Sequence, residues 1–131
     1  MIDLSADVAE GAPGEEEMWP MISSANVACG GHVGDAQSMT DAVRRAKRYN
    51  VTIGAHPSYP DRENFGRKSM SMAPAALRAS LAAQIGALRA IAPIAFVKPH
   101  GALYNDAHRD VIRAGVIIDA MTDVDRELAI A

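Results

Sequence analysis

The stretch SANVACGGHVGDAQSMTDAVRRAKRYNVTIGAH, Ser24–His56, decides the fold class. It opens on a short buried run, Ser24–Cys29, and a turn holding Gly30, Gly31 and Gly34. Asp35 is placed to cap a helix running to Tyr49, because its carboxylate can accept from the first free backbone N–H groups. Met39, Val43 and Ala46 give that helix an apolar stripe. Arg44, Arg45, Lys47 and Arg48 give it a solvated face, with cations toward the C-terminus as the helix dipole favours. Val51–Ala55 is a second short apolar run. Two buried strands joined by an amphipathic helix make a parallel β–α–β unit.

The alternation extends outward on both sides. Met1–Ala6 is apolar at Ile2, Leu4 and Ala6, the period-2 pattern of a strand. Pro74–Ile91 reads as a long helix, with Leu77, Leu81, Ile85, Leu88 and Ile91 on one stripe, Pro74 in the first turn and Pro93 as its stop. Ile94–Lys98 is a fourth strand. Asp106–Met121 reads as one helix capped by Asp106, with Val111, Ala114, Ile118 and Met121 inward and His108 on the surface. Glu127–Ala131 opens a fifth strand. Two α/β architectures fit such an order, an open doubly wound sheet and a β/α barrel. No G-x-G-x-x-G follows the first strand. Polar residues follow every complete strand: Asp7 and Glu10, His32 and Asp35, His56 and Arg62, then Lys98 and His100. That is where barrel enzymes carry their sites. The expectation is therefore a β/α barrel-like fold. A whole barrel takes roughly 200 residues or more, so four to five parallel strands in 131 residues read as the N-terminal part of one barrel-like domain, residues 1–131. An incomplete barrel exposes strand edges, which predicts self-association.

Composition narrows the function. Lys+Arg is 13 against Asp+Glu at 16, a net charge of −3 with no basic stripe, which argues against a nucleic-acid partner. No apolar run approaches a membrane span. Acidic residues stand where a signal peptide carries its basic region, and the single cysteine, Cys29, excludes an internal disulfide, so a cytoplasmic setting is expected. Cys29 reads as a small buried hydrophobe.

Four segments carry chemistry. Asp7 and Glu10 form D-x-x-E; such carboxylates can divide acid and base roles or share a cation, or one caps a turn while the other is solvated. Glu15, Glu16 and Glu17 read as a helix start. In Ser24–Asp35 the polar candidates are Asn26 and His32, and the glycines suit a tight turn better than a phosphate cradle, since Asp35 would repel phosphate. Gly54–Arg67 holds His56, Asp61, Arg62, Glu63 and Arg67 in a loop pinned by two prolines; Arg62 and Arg67 could fork onto a carboxylate or phosphate. Val97–Asn105 puts Lys98 and His100 on one side of an extended segment. A partly buried Lys is costly unless paired or catalytic, so Lys98 either pairs with an Asp or acts in chemistry. Asp7, His32, His56 and His100 could also converge on Zn or Mn, although no local ligand signature is present, and the metal stays unknown.

DLSADVAEG (3–11), SSANVACGGHVGD (23–35), GAHPSYPDRENFGR (54–67) and VKPHGALYN (97–105) together resemble the successive signatures of the LamB/YcsF family. The resemblance runs across nearly the whole chain. It differs locally: the family usually has Asn at Ser5, Gly at Ala9 and an aromatic at Gly31. The resemblance implies a barrel-like fold related to sugar-deacetylase barrels. It implies one component, designated A, of an ATP-dependent 5-oxoprolinase, which opens the lactam of 5-oxoproline to glutamate with partner subunits B and C. The residues this points to are Asp7, Glu10, His56, Lys98 and His100 for catalysis, and Asn26, His32, Arg62 and Tyr104 for substrate binding. A metal-dependent C–N hydrolase without ATP, or a non-catalytic interaction module, are the competing expectations.

Overall fold

The computed structural model describes residues 2–131. Met1, the first residue of the expected opening strand, lies outside the described residues. In chain order the elements are β1 (Ser5–Val8), α1 (Glu15–Met18), a 3-10 turn (Trp19–Met21), β2 (Ser24–Ala28) and α2 (Ala36–Tyr49). There follow β3 (Thr52–His56), α3 (Pro74–Arg89), β4 (Phe96–Val97), α4 (Gly101–Ala107), α5 (Val111–Val124) and β5 (Ala129–Ile130). All five strands pair in parallel, in the order β1-β2-β3-β4-β5. A doubly wound sheet reverses its order at a switch point. This one never reverses, so each strand adds to the same growing edge, as in a β/α barrel.

Burial explains the strand choice. Every residue of β2 is buried, as the central strands of a parallel sheet require. Helix α2 starts on a reciprocal cap: Ser38 N–H donates to Asp35 Oδ1 at 2.8 Å and Asp35 N–H donates to Ser38 Oγ at 2.9 Å. It ends at Asn50, whose φ of 55° makes the left-handed turn that lets its N–H reach the carbonyls of Ala46 and Lys47. Met39, Val43 and Ala46 are buried as expected. Leu77, Leu81, Ile85 and Leu88 of α3 are also buried, and the helix lies along α5, with Arg78 paired to Asp123 at 2.7 Å.

The last helical stretch corrects the sequence reading. Asp106–Met121 is two helices. Asp106 sits inside α4, accepting from Tyr59 Oη at 2.5 Å and Ser69 Oγ at 2.9 Å. Asp110 is the cap of α5, accepting from Ile112 N–H at 2.9 Å. The inward face is Val116, Ile117, Ala120 and Met121, while Val111 and Ile118 are exposed. His108 closes α4 and is exposed, as expected of a surface residue.

The turn leaving β1 stores a small strain. Ala9 has φ of 62°, where a β-methyl costs roughly 1–2 kcal/mol. A glycine there loses about 0.5–1 kcal/mol of that gain to its freer unfolded chain. Ala9→Gly is therefore expected to stabilise the fold by about 1 kcal/mol or less, read as a rise in the melting midpoint. A fall would show that the methyl contributes packing that outweighs the strain.

Candidate functional site

The consecutive strand order puts the strands' C-terminal ends side by side, and β1 to β4 each deliver one or two polar residues to the same place. β1 carries Asp7, and the turn after it carries Glu10. Glu15 fixes that turn, accepting from Ala9 N–H at 2.8 Å and Glu10 N–H at 3.2 Å. The Glu15–Glu17 cluster is thus a helix start with a structural task. β2 carries Asn26, aligned with Asp7 in the register, and its Nδ2 donates to Asp7 Oδ1 at 2.9 Å. After β2 comes His32, β3 ends in His56, and after β4 come Lys98 and His100. The long polar segment after β3 returns to the same place through Phe65.

The result has an outer and an inner layer. Asp7 and Lys98 are partly exposed, and Lys98 Nζ donates to Asp7 Oδ1 at 2.9 Å. The Lys–Asp pairing, the alternative to a catalytic Lys98, is thus present, at the mouth of the site. Beneath it His32, His56 and His100 are buried at 2%, 1% and 8% exposure. His32 and His100 stack, with ring centroids 3.7 Å apart. His56 Nε2 lies 3.4 Å from Asp7 Oδ2 and 3.1 Å from His100 Nδ1. Glu10 Oε1 lies 2.7 Å from His32 Nε2 and 3.8 Å from both His56 Nε2 and His100 Nδ1.

Electrostatics assign states to two of these groups. Burial alone would raise the Asp7 carboxyl. The hydrogen bond and charge of His56, with the bonds from Lys98 and Asn26, outweigh it and hold Asp7 well below the usual carboxylate range. Asp7 is thus a firmly ionised acceptor and a weak base. Burial pulls His100 below the ordinary imidazole value, and neighbouring His32 and His56 add to this, against the bond to the Phe65 carbonyl. Cys29 is buried, and desolvation pushes its thiol up to about 12, which fits the inert hydrophobe read from sequence.

Two expected residues stand apart. Arg62 donates from Nη2 to the Gly34 carbonyl, tying the loop after β3 to the loop after β2. Tyr104 is three residues into α4, exposed, with its ring against His108 and its carbonyl accepting from His108 Nδ1 at 2.9 Å. Its polar contacts are with the helix surface and not with the cluster. Arg67, a second cation of the loop after β3, lies over the Phe65 ring, 5.1 Å from its centroid. The glycine-rich turn is a tight turn: Gly30 and Gly34 have φ of 106° and 101°, and Gly30 N–H closes onto Val33 O at 2.9 Å.

Sequence reasoning missed the supports. Ser58 Oγ stands 3.0 Å from His32 Nδ1 and donates its own proton to Tyr59 O at 2.9 Å. Gln84 of α3 holds the Ser58 backbone on both sides, accepting from Ser58 N–H at 3.0 Å and donating to Ser58 O at 2.9 Å. The carbonyls of Lys98 and Phe65 accept from His56 Nδ1 at 2.7 Å and His100 Nε2 at 2.8 Å. Gln84 carried a signal: it falls on the apolar face of α3, three residues after Leu81, where an unpaired amide would be costly.

Comparison with known proteins adds a consistent set of relatives. The LamB/YcsF family profile matches residues 2–131. Two proteins from Haemophilus influenzae, strains PittEE and PittGG, carry the name of the 5-oxoprolinase A component. Each is 52% identical over 132 residues, covering 97% of this chain and 54% of the relative. The crystal structure of a lactam utilization protein from Thermus thermophilus superposes with a TM-score of 0.92 at 41% identity, covering 98% of this chain and 56% of that one. The chain thus spans about half the length of the curated relatives it matches.

Proposed function

Because the chain belongs to the LamB/YcsF family, we propose that it serves as part of the A component of a 5-oxoprolinase, opening the lactam of 5-oxo-L-proline to L-glutamate. In this reading ATP, handled by the holoenzyme, phosphorylates the amide oxygen and leaves as ADP; one water adds to the activated carbon and the ring amine is expelled, giving an acyl phosphate, and a second water releases inorganic phosphate and L-glutamate. Subunits B and C are the partners, the setting is cytoplasmic, and residues 1–131 supply the N-terminal part of one barrel-like domain. The observation that carries the reading is the Asp7–Lys98 pair, a partly exposed cation and a firmly ionised carboxylate above a buried polar cluster.

Each residue has work in such a reaction. Lys98 Nζ is the donor for the oxyanion that develops when the second water attacks the acyl phosphate. Asp7 Oδ2 orients the attacking water and holds Lys98 in place. Asn26, which steadies Asp7 through Nδ2 and has a buried Oδ1 without a partner, is kept as a substrate-binding candidate. His56 stands behind Asp7, Glu10 and His100 stand behind His56, and all three belong to the catalytic set. His32 anchors Glu10, and Arg62 and Tyr104 remain candidates for the substrate carboxylate. A second reading, a metal-dependent C–N hydrolase acting without ATP, is favoured by the convergence of Glu10 with the three imidazoles.

The test combines the protein with subunits B and C, ATP and 5-oxoproline, and measures glutamate. ATP-dependent glutamate formation that needs all three components is expected. Glutamate formed equally well without ATP would replace this reading with the metal-hydrolase one. No glutamate with or without ATP, from partners that are active with another LamB/YcsF protein, would overturn both.

A further inference from the structure

Three imidazoles meet in this site with their protons already committed. A carbonyl oxygen only accepts, so His56 Nδ1, against Lys98 O, and His100 Nε2, against Phe65 O, must each carry a hydrogen. Ser58 has spent its single hydroxyl proton on Tyr59 O, so His32 Nδ1 must donate to Ser58 Oγ. In neutral rings the other three nitrogens, His32 Nε2, His56 Nε2 and His100 Nδ1, are then lone-pair donors. All three point inward, toward Glu10 Oε1, and the four atoms lie within 4.8 Å of one another. With both rings neutral, as metal ligands are, His56 Nε2 and His100 Nδ1 face each other across 3.1 Å with no hydrogen between them; a proton on His56 Nε2 gives the bond and charge toward Asp7 described above, and a bound cation takes the place of that proton. A bridging proton could serve one such pair. It could not serve four donors at once.

We propose that Glu10 Oε1, His32 Nε2, His56 Nε2 and His100 Nδ1 bind one divalent transition-metal ion, with Zn2+ as the best-fitting species. Bonds of about 2.0–2.1 Å to a tetrahedral zinc put neighbouring ligand atoms about 3.3 Å apart. The separations on hand are 2.7, 3.1, 3.8 and 3.8 Å, and they bracket that value. Three imidazoles and one carboxylate suit Zn2+, Co2+ or Mn2+ better than Mg2+ or Ca2+, which take mostly oxygen ligands. The outer contacts are those of a built site. Each ligating ring donates its remote N–H to a fixed oxygen, which sets both tautomer and orientation. Gln84 in turn fixes the loop that carries Ser58. The inference stands on these contacts alone and does not depend on the lactam reading.

The experiment strips the purified protein with a chelator and titrates it with Co2+, then with Zn2+. One equivalent of Co2+ is expected to bind with the visible absorption of a four-coordinate nitrogen–oxygen site, and Zn2+ should displace it. Zn2+, and not Mg2+, should raise the melting temperature. Glu10→Gln and His32→Ala should each weaken binding at least about tenfold, and Ser58→Ala by about ten- to a hundredfold, as loss of an outer-shell partner does. His108→Ala, on the surface, should leave binding unchanged. Absence of saturable Co2+ binding by the unmodified protein overturns the proposal whatever the variants do. So does binding that survives in Glu10→Gln and His32→Ala alike, or that is lost in His108→Ala. If a variant fails to fold, the Co2+ spectrum of the unmodified protein still decides: a weak, all-oxygen six-coordinate spectrum counts against the site.

Discussion

Lys98→Met, placed in a LamB/YcsF protein of full family length, is expected to lower kcat/KM for 5-oxoproline by about 10²- to 10³-fold, the usual cost of losing one oxyanion donor. Met keeps the length and much of the packing of the lysine stem. What disappears is the ammonium, 2.9 Å from Asp7 Oδ1 and partly open to solvent at the mouth of the site. Asp7 keeps its contacts with His56 and Asn26, so the carboxylate stays in place. The loss should therefore fall on kcat, with KM little changed and the melting temperature close to that of the unmodified protein. Steady-state kinetics alongside a thermal melt separates the cases. Full turnover in the variant would remove Lys98 from the chemistry and leave it a structural partner of Asp7.

Gly101→Ala is expected to destabilise the fold by about 2–5 kcal/mol and to disturb the site at the same time. Gly101 opens α4 with φ of 57°, where a non-glycine residue costs roughly 1–2 kcal/mol. A methyl there would also stand 2.6 Å from the Gly66 carbonyl oxygen, and overpacking typically costs another 1–3 kcal/mol or so. That carbonyl is not free to move, because it accepts from Ala102 N–H at 3.0 Å. The preceding residue, His100, is bonded to Phe65 O, so relief on either side shifts an imidazole of the cluster. Chemical denaturation of Gly101→Ala beside Gly115→Ala checks this. Gly115 lies within α5 with nothing within 4 Å of its would-be methyl. Its substitution should be neutral or stabilising by about 0.5–1 kcal/mol. Equal behaviour of the two variants would show that the Gly66–Gly101 contact is slack.

The sequence made some of this legible, and the reason differs by element. Helix α2 could be read because Asp35 and Ser38 cap it reciprocally and because its other faces are polar and, from Asp41 to Arg48, largely charged, so one stripe alone could face inward. Helix α5 could not, since residues 111–121 are mostly apolar and several stripes fit equally well. Asp106 and Asp110 are equally good cap residues on paper. Only the Tyr59 and Ser69 hydroxyls on Asp106 decide between them. The site candidates are marked by their positions after strands, a local signal. Their convergence is not local, and neither Ser58 nor the Phe65 carbonyl has any side-chain chemistry that marks it as a support. Tyr104 shows a related effect: only the family resemblance pointed to it, and α4, which begins at Gly101, turns it onto the helix surface.

The unreversed strand order also sets a timetable. The Glu10–His32 contact spans 22 residues, the His56–His100 contact 44, and the Lys98–Asp7 contact 91. As the chain emerges in synthesis, Glu10 can meet His32 as soon as β2 docks on β1. His56 arrives with β3, and Lys98 and His100 arrive only after α3 has formed and β4 has docked. The link that ties the site together is thus the most distant in sequence and among the last available, and such non-local contacts slow folding. Until then the early partners must share their buried polar atoms with water. A signal from His100 or Lys98 consequently reports when the fourth strand has docked.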